Sequence, residues 1–488
     1  MTDFHAEGKT QLREVHMKKT IAIVSLFFLL FLGTSSLSQG AGFLVYEHGA
    51  AAMGIAGAFI GVANDVTAIF HNPAGIAWLE GTHISVGTTL ITAVASVNLP
   101  NWPDPRFQTV DLKKQWFYPS TFYISHKIND RLAAGFGFFS PFGLGTKWPE
   151  DYPLRYISIA DDMKTFIFNP CIAYKVTDNF SVGFGISYIH ATISFELVER
   201  KDDIETVVPL GPPVIPFPFQ VPVTATVDIP ADLDGTGNAF GWNAGLLYKG
   251  ENYSLGVNWR SGFTVKFDGD LALFTDEAVA TATATVPPGL EAVKPIVEQG
   301  VEQNILYALS FVKGGTAALD FKFPHILGFG GGFWVTDNLM LSADVHIYFF
   351  GSFDALNVEI DVPSPDPSVE FEDKHIEENW DNTYIIRTGI QYMLNENVAL
   401  RGGFFYDKNP QPTESVDPIL PDADRLGFTA GFGYKGKNFT LDLAYQYEPF
   451  KDRESPNRDI YTIGAINLGE GTYKNTAHLF GLSLGYHF

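Results

Sequence analysis

Large apolar side chains alternate with small or polar ones along much of this chain, and this period of two restricts its fold most strongly. The C-terminal residues 480–488 read FGLSLGYHF, and the same alternation recurs over residues 182–188, 426–434 and 439–446. Successive side chains of a β-strand point to opposite faces. Each segment is therefore predicted to be a strand with one large apolar face and one small or polar face.

The chemistry of the two faces distinguishes a membrane barrel from a soluble β-sandwich, which has the same period. The small faces carry Gly, Ser and scattered charges, and several apolar faces end in aromatic residues. Transmembrane barrels have this polar interior and apolar exterior with aromatic girdles. The barrel must be closed, because an open sheet edge in lipid leaves backbone groups unpaired.

Short turns rich in Asn, Asp and Gly give the number of strands, since these residues accept the backbone angles of tight hairpins. Six hairpins are predicted at 129–130, 177–179, 249–252, 336–338, 395–397 and 435–438. They supply twelve strands, and a first strand at about His83–Val97 and a last strand ending at Phe488 make fourteen. The predicted fold is all-β, a 14-stranded antiparallel transmembrane β-barrel occupying residues 82–488.

The connections at the other end of the predicted barrel are longer and are expected to be irregular and extracellular. They cover residues 99–115, 143–161, 200–239, 268–315, 361–381, 408–424 and 450–474. The two largest are 200–239 and 268–315. The first contains an apolar, proline-rich stretch, and a short helix is predicted in the second after Pro288.

Residues 1–40 are predicted to be an N-terminal extension and a signal peptide. Lys18 and Lys19 precede an apolar run from Ile21 to Leu32, and small or polar residues follow up to Gly40. This is the order of regions in a secretory signal. We expect translation to start at Met17 and cleavage to follow Gly40. A retained signal anchor is disfavoured because the apolar run is too short to span a bilayer.

Residues 41–81 are small, apolar and glycine-rich, and they are predicted to form a plug, or hatch, inside the barrel. Gly and Pro interrupt the segment too often for a transmembrane helix, which needs about 20 continuous apolar residues. A buried helical hairpin of a soluble domain is the alternative. The signal before the segment and the strands after it disfavour that alternative.

Several other kinds of chemistry are excluded. The net charge of −23 disfavours nucleic-acid binding, and a single cysteine, Cys171, predicted to face inward, allows no intramolecular disulfide. The G-x-S-x-G pattern at 481–485 lies within the last strand rather than at a strand-to-helix elbow. Residues 232–238 resemble a calcium loop without its closing glutamate and are predicted to form a turn. We therefore expect no catalytic residues, metal or cofactor.

The chain resembles the FadL-type long-chain fatty acid and hydrocarbon transporters of the Gram-negative outer membrane. The resemblance rests on the order of several motifs: Asn64-Asp65, Phe70–Gly75, Pro141–Gly143, Gly241–Gly245, Trp259–Ser261, Leu420–Asp422 with Asp424-Arg425, and the terminal Phe488. It implies a fourteen-stranded barrel with an N-terminal hatch. Outer loops capture an apolar substrate, an inner pocket receives it, and an opening in the wall releases it sideways.

The resemblance also implies partners. These are a long-chain fatty acid or hydrocarbon ligand, outer-membrane lipids, and the outer-membrane assembly machinery, for which Phe488 is the expected signal. A monomer is expected. A surface-adhesion protein that uses the barrel as an anchor and an outer-membrane lipolytic enzyme are the alternatives from other functional classes, and the missing nucleophile elbow disfavours the enzyme.

The hatch gate is predicted at Asn72, Pro73, Ala74 and Gly75, with Asp65. Asn tolerates turn geometry and Pro fixes one backbone angle, so a tight turn is expected. An ordinary loop turn is the alternative, and the family match favours a gate.

A lateral opening is predicted at Phe139, Ser140, Pro141, Phe142 and Gly143, within a third strand running from Leu132 to Phe142. Proline has no N–H for a strand ladder, so a local break in strand pairing is expected there. The alternative is that the strand simply ends.

Four cations, Arg260, Lys266, Arg387 and Arg401, are placed on the lumen face by the alternation. A cation in the lumen can bind a fatty acid carboxylate, whereas a hydrocarbon needs none. The alternative is that each pairs with an interior carboxylate, for which Glu47, Asp65, Asp344 and Asp442 are the candidates.

Overall fold

The computed structural model describes residues 42–212, 214, 218–363, 371–455, 462–463, 466–467 and 470–488. The predicted extension, signal peptide and cleavage site lie outside these residues. The described strands are β1 (Thr82–Asn98), β2 (Thr109–Asp111), β3 (Ser120–Lys127), β4 (Leu132–Phe139), β5 (Gly143–Lys147), β6 (Ala160–Lys175), β7 (Phe180–Leu210), β8 (Phe219–Lys249), β9 (Tyr253–Arg260), β10 (Phe263–Leu273), β11 (Val279–Ala284), β12 (Gly315–Phe323), β13 (His325–Thr336), β14 (Leu339–Phe349), β15 (Ala355–Asp361), β16 (Lys374–Glu377), β17 (Thr383–Met393), β18 (Val398–Asp407), β19 (Arg425–Lys435), β20 (Phe439–Pro449), β21 (Arg453–Ser455), β22 (Thr462–Ile463), β23 (Ile466–Asn467) and β24 (Gly471–His487).

Fourteen antiparallel strands close into a ring, which confirms the predicted fold. The order around the ring is β1, β3, β4, β6, β7, β8, β9, β13, β14, β17, β18, β19, β20 and β24. The last strand, β24, pairs with the first, β1, from His83–His487 to Asn98–Thr472. Closure pairs the edges of the wall, as a sheet in lipid requires.

The outward faces of the wall are apolar, as the alternation predicts. In β24, Phe480, Leu482 and Leu484 are exposed while Gly481 and Ser483 are buried. No helix in the described ranges is long and apolar enough to cross a membrane.

The prediction of an irregular loop over residues 200–239 is wrong. β7 and β8 each have 31 residues and pair with each other from Phe180–Tyr248 to Leu210–Phe219. At about 3.3 Å per residue each strand is roughly 100 Å long, whereas spanning a membrane takes about 9–11 residues. Valine, threonine and isoleucine at alternate positions of β8 sustain the pairing beyond the membrane. The turn predicted at residues 232–238 is also wrong, because these residues belong to β8.

An extension of the sheet therefore stands on the outer end of the barrel, away from the short hairpin turns. β10, β11, β12, β15 and β16 continue it beside β8. Helix α3 (Lys294–Leu309) packs on β11 through Val297 and Val301, which confirms the helix predicted after Pro288. We use α1 and α2 for the two helices of the N-terminal segment, Ala50–Gly54 and Ala68–His71.

Residues 42–81 are almost wholly buried. After α1 and α2 they form a 3₁₀ helix, Pro73–Trp78, which leads into β1. The short helices expose backbone groups that they cannot satisfy themselves, so the wall must supply partners for them.

Candidate functional site

Wall side chains hold the C-terminal end of α2. Asn243 of β8 donates to the carbonyl oxygen of Ile69 (3.3 Å). From β9, Asn258 donates to the carbonyl of His71 (2.6 Å) and Arg260 to that of Phe70 (3.0 Å). The last carbonyls of a helix have no partner within it, so this helix is completed by the barrel.

Asn72 joins the 3₁₀ helix to the wall. Its side-chain amide donates to the carbonyl oxygens of Ile60 (2.9 Å) and Leu246 (3.0 Å), and its Oδ1 accepts from the N–H of Ala74 (3.2 Å). The predicted turn at 72–75 is thus the start of a 3₁₀ helix, with the Gly75 N–H donating to the Asn72 carbonyl at 2.9 Å. A single buried side chain connects two parts of the segment to β8.

Further bonds hold the segment 42–81 around the rest of the ring. They run from hatch backbone groups to side chains of β1, β9, β14, β17, β19 and β24, namely Thr89, Ser254, Asp344, Arg387, Thr429 and Ser483. The segment therefore lies against the inner face of strands on every side. This placement is the one expected for a plug.

Wall glycines allow the close approach. A Cβ on Gly183 would lie 2.4 Å from the backbone nitrogen of Ala74, and one on Gly245 would lie 2.0 Å from Oδ1 of Asn72. Real Cβ atoms do not come so close to other heavy atoms. The small inward residues of the alternation here make room for the hatch backbone.

The third wall strand is interrupted where a lateral opening was predicted. β4 ends at Phe139, which pairs with Ile167, and β5 begins at Gly143, which pairs with Lys164. Phe139 and Gly143 are four residues apart, whereas their partners on β6, Ile167 and Lys164, are three residues apart. The interrupted wall strand therefore contains one inserted residue, as in a β-bulge. Pro141 lies between the strands rather than inside one.

The first residues of the hatch pair with the interrupted segment. The Val45 N–H donates to the carbonyl oxygen of Pro141 (2.7 Å) and the Gly143 N–H to that of Phe43 (2.8 Å), and Leu44 and Phe142 form an antiparallel bridge. Phe139, Ser140 and Phe142 are buried. The chain has turned inward at this point and meets the hatch.

The ladder between the second and third wall strands is open over the same stretch. β3 and β4 last pair at Phe122–Phe138, and the next backbone bond joins Lys113 to Lys147 (2.7 Å). Among the described residues no backbone hydrogen bond links 114–120 with 140–146. The wall therefore has a local gap in its hydrogen bonding.

A cluster of seven packed aromatic rings lies behind this gap, and we call it the aromatic chamber. The ring of Phe43 lies 5.0–6.1 Å, between ring centres, from six other rings: Phe142, Phe321, Phe323, Phe350, Phe353 and Trp380. Such distances are those of favourable aromatic pairs. Phe43 itself fills the centre of the chamber.

Arg260 and Arg387 lie in the lumen, as predicted. The Arg260 guanidinium carbon lies 4.7 Å from the ring centre of Phe70, and that of Arg387 lies 4.5 Å from the ring centre of Tyr46. Both side chains are buried, and neither forms an ion pair with a carboxylate of the described residues. Nη1 of Arg260 has no hydrogen-bond partner there.

The other two predicted cations differ from these. Arg401 faces inward but pairs with Asp442 at 2.6 Å and donates to Gln391 at 2.7 Å. The lumen placement of Lys266 is wrong, since it lies in β10 of the outer extension and its side chain is 60% exposed. The buried face of β10 carries Val265 and Phe267, so the alternation has the opposite phase from the one predicted.

The titratable hatch residues supply no further positive charge. Burial lowers the pKa of His71 to about 3 and holds the pKa of His48 well below its usual value. Both rings are neutral near pH 7, whereas a guanidinium stays charged. Burial raises the pKa of Asp65. Its carboxylate accepts from the Thr67 N–H at 2.7 Å. It lies on the periplasmic side of the hatch, away from Arg260.

A cavity of about 500 Å³ lies between the hatch and the hairpin-turn end of the wall. Asp65, Gln391, Arg401 and Asp442 line part of it. The hatch thus separates the aromatic chamber on the outer side from this cavity on the other, which polar and apolar side chains line together. Cys171 is buried and faces inward, as predicted.

Phe488 closes the seam between the ends of the wall. Its carbonyl accepts from the Thr82 N–H (2.7 Å) and its own N–H donates to the Thr82 carbonyl (3.0 Å). The side chain is exposed. Its role as an assembly signal stays a prediction.

Three residues of the site were not predicted from the sequence: Phe43, Asn243 and Asn258. Asn258 shares the inward face of β9 with Ser254 and Arg260, so a polar amide at an inward position two residues before a predicted site cation was an available signal. No local pattern distinguishes Phe43, because its six ring partners come from distant parts of the chain.

A closed 14-stranded ring with an apolar exterior defines an outer-membrane β-barrel, and the internal segment defines a plugged one. The chain matches the family described as outer membrane protein transport protein (OMPP1/FadL/TodX) over residues 31–488, and it belongs to that family. Members are outer-membrane transporters of hydrophobic molecules and are channels rather than enzymes.

Individual relatives agree along nearly the whole chain. The long-chain fatty acid transport protein of Salmonella typhi is 24% identical over 481 residues, covering 96% of this chain and 100% of the relative. The crystal structure of a Pseudomonas aeruginosa FadL homologue has a TM-score of 0.69 at 21% identity, covering 92% of this chain and 100% of that one. The Ralstonia pickettii toluene transporter TbuX gives 0.58 at 17% identity, covering 91% and 100%.

Proposed function

We propose that this protein carries long-chain fatty acids passively across the outer membrane and releases them sideways through the wall beside Pro141. The observation that carries the proposal is the gap between β3 and residues 140–146 in the wall ladder, where the first residues of the hatch pair with the interrupted strand. A hatch that fills the lumen favours a sideways exit over a straight passage.

The aromatic chamber supports an apolar cargo. Seven rings, including that of Phe43, meet directly behind the wall gap. Phe43 meets the interrupted strand through its backbone bond to Gly143 and its ring contact with Phe142, so a shift of residues 43–45 would empty the chamber and uncover the gap together. The predicted gate at 72–75 is tied to β7 and β8 and would stay in place during that shift.

Arg260 supports a cargo with a carboxylate. It is a buried guanidinium with an unsatisfied Nη1, and it packs on Phe139, the last residue before the break, at 5.3 Å from the ring centre. A buried charge without a partner is unfavourable, and a fatty acid carboxylate would supply both a charge and acceptors.

Uptake of aromatic or alkane hydrocarbons by the same route is the second candidate, and the aromatic lining of the chamber favours it. The deciding experiment is growth and uptake on a panel of oleate, toluene and long alkanes, in a host lacking its own transporter, with and without the gene. Oleate uptake that depends on the gene and weakens in Arg260→Gln supports the proposal. If the gene supports uptake of toluene alone, hydrocarbon transport replaces fatty acid transport as the proposed function.

A further inference from the structure

Asp344 and Arg387 are neighbours in the wall that do not pair with each other. They lie directly opposite one another in the ladder between β14 and β17, on its inward face, and both side chains are buried. Residues in such positions have Cβ atoms about 4.5–5.5 Å apart, a separation that an aspartate and an arginine can bridge. The two opposite charges nevertheless form no ion pair with each other in the described structure.

Each of the two side chains binds a backbone group of the hatch instead. Asp344 Oδ2 accepts from the Ile60 N–H at 2.8 Å, and Arg387 Nη1 donates to the carbonyl oxygen of Ala56 at 2.9 Å. We call residues 55–60 the hatch turn. Within the part of the chain that the structure describes, these two bonds are the ones that join the hatch turn to wall side chains. The hatch turn therefore takes the place of an ion pair within the wall.

Other partners for the two charges are distant or occupied. His346 Nε2 lies 3.8 Å from Asp344 Oδ2, which is too long for a hydrogen bond. Asp407 of β18, the strand on the other side of β17, is paired with Arg425. Asp344 Oδ1 and Arg387 Nε have no hydrogen-bond partner among the described residues. Each charged group thus keeps bonding capacity that the other could satisfy.

The backbone of the hatch turn is held in an unfavourable shape. Ala56 has φ +57°, a left-handed conformation that is costly for a residue with a Cβ. A Cβ on Gly403 of β18 would lie 2.7 Å from the backbone nitrogen of Ala56, so the hatch turn is packed directly against the wall. Arg387 binds the carbonyl of this same strained residue. Loss of that bond would allow Ala56 to leave a conformation that it does not favour.

The hatch turn lies between the periplasmic cavity and the start of the hatch. Ile55 and Phe59 line the cavity of about 500 Å³. On the other side, a Cβ on Gly57 would lie 3.1 Å from the ring of Tyr46, which directly follows the residues paired with the interrupted strand. A displaced hatch turn would therefore extend the cavity towards that strand.

We propose that Asp344 and Arg387 are positioning residues that exchange partners. They hold the hatch turn while it is seated, and they pair with each other when it moves away. The new ion pair replaces the two lost hydrogen bonds, so neither charge is left buried and unpaired, which would be strongly unfavourable. The wall thereby stabilises the displaced hatch turn as well as the seated one, and residues 55–60 are a movable part of the hatch.

The test measures opening of the hatch turn in the full-length protein in detergent, without cargo. Hydrogen–deuterium exchange followed by mass spectrometry reports how often the amides of residues 55–60 are released. Asp344→Asn keeps an acceptor for the Ile60 N–H, and Arg387→Gln keeps a donor for the Ala56 carbonyl, but neither variant can form the new ion pair. We expect exchange in residues 55–60 to be at least about tenfold slower in each variant, equivalent to about 1.4 kcal/mol.

A purely structural role predicts the opposite change. A neutral partner forms a weaker hydrogen bond than a charged one, so exchange would then become faster in both variants. Arg387→Lys can still donate to the hatch and pair with the carboxylate, and it should exchange like wild type. The double variant Asp344→Asn/Arg387→Gln leaves no unpaired charge, and its exchange should be faster than in either single variant. Asp337→Asn, in the exposed turn between β13 and β14, is the control and should behave like wild type.

Faster or unchanged exchange in Asp344→Asn and Arg387→Gln would overturn the proposal, as would a double variant slower than both. Peptides covering residues 66–75 are the internal reference, because β8 and β9 hold that part of the hatch. If one single variant does not fold, the other and Arg387→Lys keep the test decisive. Because no cargo is present, a failure here leaves the proposed transport function standing, and a failure of transport leaves this inference standing.

Discussion

The backbone N–H of Val45 donates a 2.7 Å hydrogen bond to the carbonyl oxygen of Pro141, although the two residues are far apart in the chain. This bond joins the hatch to the interrupted wall strand. The wall gap and the position of residues 43–45 are therefore coupled.

Deleting Pro141 is expected to close the wall. The deletion removes the one extra residue relative to β6, so β4 and β5 can become one strand and pair with β3. Oleate uptake should fall to the background of cells without the gene, at unchanged amounts of folded barrel. Pro170→Ala, at an exposed site on β6, is the control and should transport normally; normal uptake by the deletion variant would place the exit elsewhere.

Replacing Asn72 by alanine is expected to loosen the hatch. The carbonyls of Ile60 and Leu246 lose their donor, and each unsatisfied buried group costs about 1–3 kcal/mol. Small polar solutes should enter cells or proteoliposomes faster than with wild type. Asn101→Ala, in an exposed loop, is the control, and unchanged permeability in Asn72→Ala would count against a gate at 72–75.

Arg260→Gln is expected to weaken oleate binding while sparing toluene. Hydrogen bonds to charged groups contribute about 1.5–3 kcal/mol, so the dissociation constant for oleate should rise about tenfold or more. Binding is measured on purified protein with both ligands. Lys266→Gln, on the exposed face of β10, is the matched control; equal losses for oleate and toluene would show that Arg260 acts through packing alone.

Gly183→Ala is expected to displace the hatch from β7, because the new Cβ would overlap the backbone of Pro73 and Ala74. Overpacking of this kind costs about 1–3 kcal/mol of the free energy of unfolding. The barrel should therefore unfold at a lower temperature than wild type, which the mobility shift of folded and unfolded protein on gels measures. Gly300→Ala in α3 meets nothing within 4 Å and should not destabilise the protein. A Gly183→Ala barrel as stable as wild type would mean that the hatch is not held tightly there.

Much of the fold could be read from local chemistry. Alternation in β24 and tight turns such as Asn395–Asn397 predicted fourteen strands, and Pro141 marked the interruption. The length of β7 and β8 was not predicted, because prolines at 209, 222 and 230 suggested a loop. In the structure these prolines are strand residues opposite Gln220, Val207 and Val198, so pairing with a distant segment, and not composition, decided their conformation.

The order of amino acids was enough to predict which faces are apolar, where the wall breaks and which segment could fill the lumen, because these follow from a period of two and from the backbone limits of Pro and Gly. Packing between distant segments settled which cations have no ion pair among the described residues and what fills the break. Lys266 and Arg260 have the same alternating pattern around them, yet Lys266 lies on the outer surface and Arg260 is buried against the hatch. Phe43 reaches the interrupted strand only when the ring closes around it, since contacts between distant segments are set by packing rather than by neighbours in the chain.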